Sequence, residues 1–96
     1  MATIDIAQAA REDLLDIRAE LEAYNLAASS HYERLFSQAR HVLERFPLAG
    51  RVRPDFRPPH LRSLPVPPYF IVYRYQDPVV QIVRVLHGAR NLPEIV

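Results

Sequence analysis

The sequence predicts an α+β fold in which an antiparallel helical hairpin packs on a three- to four-stranded, mainly antiparallel sheet. Three observations carry that expectation. The first half contains two successive apolar stripes at helical spacing, the second half contains three runs rich in β-branched and aromatic residues, and the links between those runs are too short for crossovers. At 96 residues the chain is read as one domain, 1–96, near the lower end of sizes that bury a self-sufficient core.

Each element has a local reason. Ile4 and Ile6 alternate in a short N-terminal run that reads as a strand over 3–6. Ala10, Leu14, Ile17, Leu21 and Tyr24 then recur at spacings of four, three, four and three, which lines them along one helix face. Glu12, Asp13 and Asp16, near the start of that helix, complement its dipole. A second stripe runs through Ala28, Tyr32, Leu35, Ala39, Val42 and Phe46, widened by Phe36 and Leu43. Tyr24, Asn25 and Leu26 leave almost no linker between the two patterns, so the helices double back on each other. Pro47 and Gly50 stop the second helix. The basic, proline-rich stretch 51–59 cannot continue it. The β-like runs at 60–66, 69–76 and 79–87 are separated by Pro67-Pro68 and Asp77-Pro78, links that impose an antiparallel meander. One face of that sheet takes the hairpin, with Tyr69, Tyr73 and Tyr75 packing against it, and the other face is left for a partner or substrate.

Composition narrows the function classes. A chain that is 49% hydrophobic and 24% charged is globular rather than disordered, and nine prolines against two glycines make its connections stiff and irregular. The absence of cysteine excludes disulfides and thiolate metal sites, and His31, His41 and His60 lack metal-ligand spacing, so neither a metal nor a cofactor is expected. Glu20 and Glu22 stand two apart on a helix and do not face each other as a catalytic dyad, and there is no glycine-rich phosphate loop or nucleophile elbow. The N-terminus turns acidic within a dozen residues and no apolar run reaches membrane length, so the expectation is a cytoplasmic protein with no membrane association.

The net charge of +1 conceals a division. Residues 1–50 carry five arginines against eight acids, a balance of −3, whereas 51–96 carry seven arginines against three acids, a balance of +4. A polyanion or an acidic partner would meet the second half. All twelve basic residues are arginine, whose planar fork suits bidentate contact with carboxylate or phosphate better than proton shuttling. Arg62, Arg74, Arg84 and Arg90 fall on or beside the sheet and are the candidate binding residues.

Local motifs along nearly the whole chain, taken in order, resemble the RelE/ParE toxins of bacterial type II toxin-antitoxin systems. They are Ala10-Arg-Glu-Asp-Leu-Leu-Asp-Ile, Phe46-Pro-Leu-Ala-Gly-Arg, Leu61-Arg-Ser-Leu, Tyr69-Phe-Ile-Val-Tyr-Arg and Val83-Arg-Val-Leu-His-Gly-Ala-Arg-Asn, the last being most similar to the ParE branch. The resemblance implies a toxin held in a hetero-oligomer by a cognate antitoxin protein, whose carboxylates would meet Arg62 and Arg74.

Two biochemistries follow from it. Members of the RelE branch cut messenger RNA on the ribosome without a metal; on that branch Arg62 and Arg90 would be the charged catalytic residues and His87 the nearby imidazole. This chain departs from that pattern: the connector offers Arg51, Arg53 and Arg57 in place of lysines, and 91–96 contains no tyrosine. Members of the ParE branch inhibit DNA gyrase by binding, which needs a surface rather than a catalytic constellation, and Arg62, Arg74, Arg84 and Arg90 would supply the target or antitoxin contacts. The expectation is therefore a ParE-like, non-enzymatic toxin. Its alternatives are a ribosome-dependent RNase and a non-toxic interaction module of the same fold.

Overall fold

A computed structural model describes residues 1–88. In chain order they form β1 (Thr3–Ile6), α1 (Gln8–Tyr24), α2 (Leu26–Arg45), β2 (Arg51–Val52), β3 (Arg62–Val66), β4 (Tyr69–Gln76) and β5 (Val79–His87). The N-terminal strand, the hairpin and the meander lie where the sequence places them, but the sheet has five strands, ordered β1-β5-β4-β3-β2. The extra strand is the start of the basic connector. Proline bars helix there but not extended backbone, and Arg51 and Val52 pair antiparallel with Ser63 and Arg62. The chain returns from the two helices to the far edge of the sheet, so β1 and β5 end as parallel neighbours, Thr3 opposite Val79 through Ile6 opposite Ile82.

A single residue joins the helices. Asn25 closes α1 through its backbone N–H to the Leu21 carbonyl, and its side-chain oxygen accepts from the Ala28 N–H at 2.7 Å, capping α2. The buried face of α2 runs through Ser29, Tyr32, Ala39 and Leu43. Val42, expected on that face, is 41% exposed because it lies one residue, about 100°, round the helix from Leu43; Phe46, also expected there, is 62% exposed because it is the C-cap and its backbone has left the helix. Tyr24 is 85% exposed, since it ends α1 beyond the packed turns.

The main core lies between hairpin and sheet, where Ala10, Ile17 and Leu43 meet Ile71, Tyr73 and Ile82. Tyr69 packs edge-on against Tyr32 with ring centroids 5.0 Å apart, and Tyr75 sits at the margin of the same core, so the three tyrosines face the helices as expected. The opposite face is not left open. Phe56, from the connector, lies buried over Val72, Leu61 and Leu86, with Phe70 and Val83 packed beside them. A 96-residue chain has little apolar surface to spare, and this second cluster uses the outer face of the sheet as well.

Tyr73 locks the corner between helix and sheet. Its hydroxyl accepts from the Gly50 N–H at 2.7 Å and donates to the Pro47 carbonyl at 2.9 Å. Gly50 permits this approach: a Cβ there would stand 2.6 Å from the Tyr73 ring.

Two stability measurements check this packing. Leu43→Ala is expected to cost about 2–5 kcal/mol in urea unfolding, while Val42→Ala stays within about 1 kcal/mol of wild type; equal costs would contradict the observed helix rotation. Tyr73→Phe keeps the ring but strands the buried Gly50 N–H. It is expected to cost about 1–3 kcal/mol, and an unchanged unfolding midpoint would remove the hydroxyl from the account of the corner.

Candidate functional site

The three candidate arginines among the described residues occupy different settings. Arg62 stands opposite Tyr73 in the β3–β4 register, on the helix side, and its Nη1 donates to the carbonyls of Gly50 at 2.9 Å and Leu48 at 3.2 Å. It is therefore a second clamp on the corner that Tyr73 holds. Arg74 is exposed on the outer face, where its Nε donates to Gln81 at 2.9 Å; the Gln81 amide in turn donates to Asp5 at 3.2 Å, a polar line across β4, β5 and β1. Arg84 is bound to Asp13. Arg90 lies outside the described residues, as does the tail 91–96.

The Asp13–Arg84 pair arises from the way β5 outgrows its neighbour. β1 ends at Ile6, level with Ile82, and the chain then rises into α1, so the second half of β5 has no strand on that side. A bulge at the same point makes Arg84 the partner of Val72 while Ile82 partners Tyr73, leaving Val83 as the extra residue. The bulge resets the alternation: Val85 enters the main core and Leu86 turns to the outer cluster. Asp13 fills the missing strand's place. Its Oδ2 accepts from the Val85 N–H at 2.9 Å and from Arg84 Nε at 2.7 Å, while its Oδ1 accepts from Arg84 Nη2 at 3.0 Å. At 15% and 27% side-chain exposure the pair is largely shielded, and the hydrogen bond to Asp13 raises the Arg84 pKa further. Asp13, read from sequence as a dipole-complementing residue, is thus a sheet component.

The connector supplies a further arginine, read from the sequence as part of a basic stretch that offers arginines in place of lysines. The Arg53 guanidinium stacks on Phe56 at 4.3 Å, binds Asp55 in bidentate fashion at 2.8 and 3.0 Å, and donates to Ser63 Oγ at 3.1 Å. That contact with Arg53 holds the Asp55 carboxyl below its ordinary pKa. Arg51, whose register partner Ser63 lies on the outer face, adds to the same surface, so Arg51, Arg53 and Arg74 give that face a cationic border around the Phe56 cluster.

Two clefts flank the sheet on the helix side. One, about 570 Å³, lies between α1 and α2, with apolar walls from Leu14, Leu15 and Phe36 and with Arg11, Arg18 and Arg40 around them. The other, about 470 Å³, lies between α1 and the ends of β4 and β5, lined by Asp13, Asp16, Glu20, Tyr69 and His87 among others. His87 packs edge-on against Tyr69 at 5.5 Å, on the helix side of the sheet.

Two residues of the nuclease expectation, Arg62 and His87, stand on different rows of the sheet. Arg62 is level with Tyr73, and His87 is level with Tyr69. Those rows are four residues apart on β4, about 13 Å along the strand, and Arg90, the third residue of that expectation, lies outside the described residues. Among the described residues no three His, Asp or Glu side chains converge to hold a metal, and no helix is long and apolar enough to cross a membrane.

Comparison with known proteins identifies the family. Residues 4–92 match the model of the ParE toxin of type II toxin-antitoxin systems, parDE. Toxin ParE3 of Caulobacter vibrioides is 42% identical over 65 residues, which is 68% of this chain and 63% of that relative's length. The solved structure of a chromosomal ParDE toxin-antitoxin system from P. aeruginosa superposes with a TM-score of 0.71 at 19% identity, covering 91% of this chain and 96% of that one, which shows a common fold. The chain belongs to the ParE toxin family of type II toxin-antitoxin systems.

Proposed function

We propose that this chain is a toxin that inhibits DNA gyrase by binding in the cytoplasm, and that a cognate antitoxin protein neutralises it in a hetero-oligomer. The observation that carries the binding reading is the separation of Arg62 from His87, with Arg62 engaged by the carbonyls of the 47–50 corner and His87 packed on Tyr69. Membership of the ParE family supports the toxin reading. The outer face supports the surface: Arg51 and Arg74 are exposed beside the Phe56 cluster, and guanidinium groups so placed engage acidic side chains or DNA phosphates. Arg90 belongs to the same proposal as a target contact. For the antitoxin, Arg74 stays an exposed contact on the outer face while Arg62 holds the 47–50 corner, and the groove between α1 and α2, with apolar walls beside Arg11, Arg40 and an Arg18 already paired with Glu22 and Glu33, suits an amphipathic, acidic segment.

Purified gyrase and translating ribosomes distinguish this reading from the nuclease alternative. Wild-type protein is expected to block supercoiling and trap cleaved DNA, to leave ribosome-bound message uncut, and to lose both gyrase effects when the adjacent gene product is added. Arg74→Ala, which gives up one exposed hydrogen bond and so leaves folding intact, is expected to weaken inhibition roughly three- to tenfold. Codon-positioned cuts in message with gyrase unaffected would overturn the proposal in favour of the nuclease.

A further inference from the structure

The cleft between α1 and the ends of β4 and β5 has a chemistry that gyrase inhibition does not call on. Three carboxylates stand on one face of α1, Asp13, Asp16 and Glu20, at spacings of three and four, and all three line the cleft. The first already holds an arginine, with the Arg84 guanidinium gripped at 2.7 and 3.0 Å. Asp16 and Glu20 repeat that acidic wall without a cation: among the described residues neither has a hydrogen-bond or ion-pair partner. Like charges four apart on a helix repel, so the pair is an arrangement that an external cation relieves.

A second, independent feature points into the same space. Tyr69 is 7% exposed and lines the cleft, and its hydroxyl, which has no hydrogen-bond partner among the described residues, keeps contact with solvent there, unlike the Tyr32 hydroxyl, which is buried without a partner. A phenol in that position offers a lone pair to an N–H donor. Burial, and after it the Glu20 carboxylate, push the Tyr69 pKa up, which keeps the phenol neutral and places Glu20 within electrostatic reach of it. The Tyr69 and His87 rings supply aromatic surface on the same wall.

We infer that this cleft is a receptor for an arginine side chain of a protein partner, with Asp16 and Glu20 as charge partners, the Tyr69 hydroxyl as acceptor and the aromatic wall as packing surface. Arginine fits better than lysine. Its guanidinium has donors in several directions for two carboxylates and a phenol, and its plane packs on aromatic rings, whereas an ammonium is a compact, strongly hydrated charge. A metal ion fits less well, since no three acidic or imidazole groups among the described residues converge to hold one. At about 470 Å³ the cleft is within the range that encloses small ligands. The inference is independent of the target, because it concerns the helix side of the sheet and not the cationic outer face.

The test is an NMR titration of the whole chain with N-acetyl-arginine amide, with N-acetyl-citrulline amide as a neutral analogue of nearly the same shape. The arginine probe is expected to give saturable shifts at residues 16–20 and 85–87, with the citrulline probe at least about tenfold weaker. Asp16→Asn combined with Glu20→Gln should abolish the difference between the two probes. Both positions are exposed and the change removes a repulsion, so the variant should melt no lower than wild type. Tyr69→Phe should weaken the arginine probe about threefold without affecting its preference over citrulline. Equal binding of the two probes, shifts confined to other acidic positions, or an undiminished response in the double variant would each overturn the inference. So would a site that opens to the probe only after Arg90→Ala, since the chain would then fill it from within.

Discussion

The architecture depends on one carboxylate standing in for a strand. β5 is the longest strand, and its parallel neighbour β1 covers only as far as Ile82 before the chain leaves for α1. A buried N–H without a partner carries a desolvation cost comparable to a lost hydrogen bond. Asp13 removes that cost at Val85 and binds Arg84 at the same time, tying the first helix to the central strands across 72 residues of sequence. The bulge at Val83, the entry of Val85 into the main core and the turning of Leu86 to the outer cluster all lie within two residues of that contact. Loss of the carboxylate would leave an arginine and a backbone amide unpaired together, which is why a partner-removing substitution there is more damaging than replacement of the whole pair by apolar groups.

The same economy explains the distribution of arginines. In a small domain the core cannot supply every contact between layers, and guanidinium groups with several donors do part of that work: Arg62 fastens the 47–50 corner, Arg84 fastens α1, and Arg53 fastens the connector over Phe56. The consequence for function is a division of the surface. The outer face keeps Arg51 and Arg74 exposed around a small apolar cluster, while the helix side carries one arginine-rimmed groove and one acidic cleft.

Much of this was legible in the sequence, for physical reasons that can be traced. The two apolar stripes, the proline stops and the β-rich runs specify their elements because periodicity and backbone sterics are local, and β4 and β5 fall on the bounds read from their turns. The tyrosines of β4 follow from alternation alone. What escaped was long-range. The two-residue β2 has no pattern of its own and exists only because β3 lies beside it; Val42 differs from Leu43 by a helix rotation that only the sheet fixes, and Phe46 falls at the C-cap, where the helical pattern no longer applies. Phe56 lies in a stretch whose prolines announce a loop and conceal a lid over the outer face. Among the candidate site residues, Arg62, Arg74 and Arg84 lie on the sheet strands, but a bidentate partner 71 residues away in a helix left no local sign, so Arg84 and Asp13 were read apart.

Native-state amide hydrogen exchange at Val85 tests the central constraint most directly. In wild type the Val85 N–H should exchange with the slow amides of β4. In Asp13→Ala it should leave that class and exchange at least about tenfold faster than Ile71 and Val72 in the same variant, because only its own acceptor has been removed. Protection at Val85 that falls no further than at Ile71 and Val72 would mean that the strand edge is satisfied without the carboxylate, and would contradict the account.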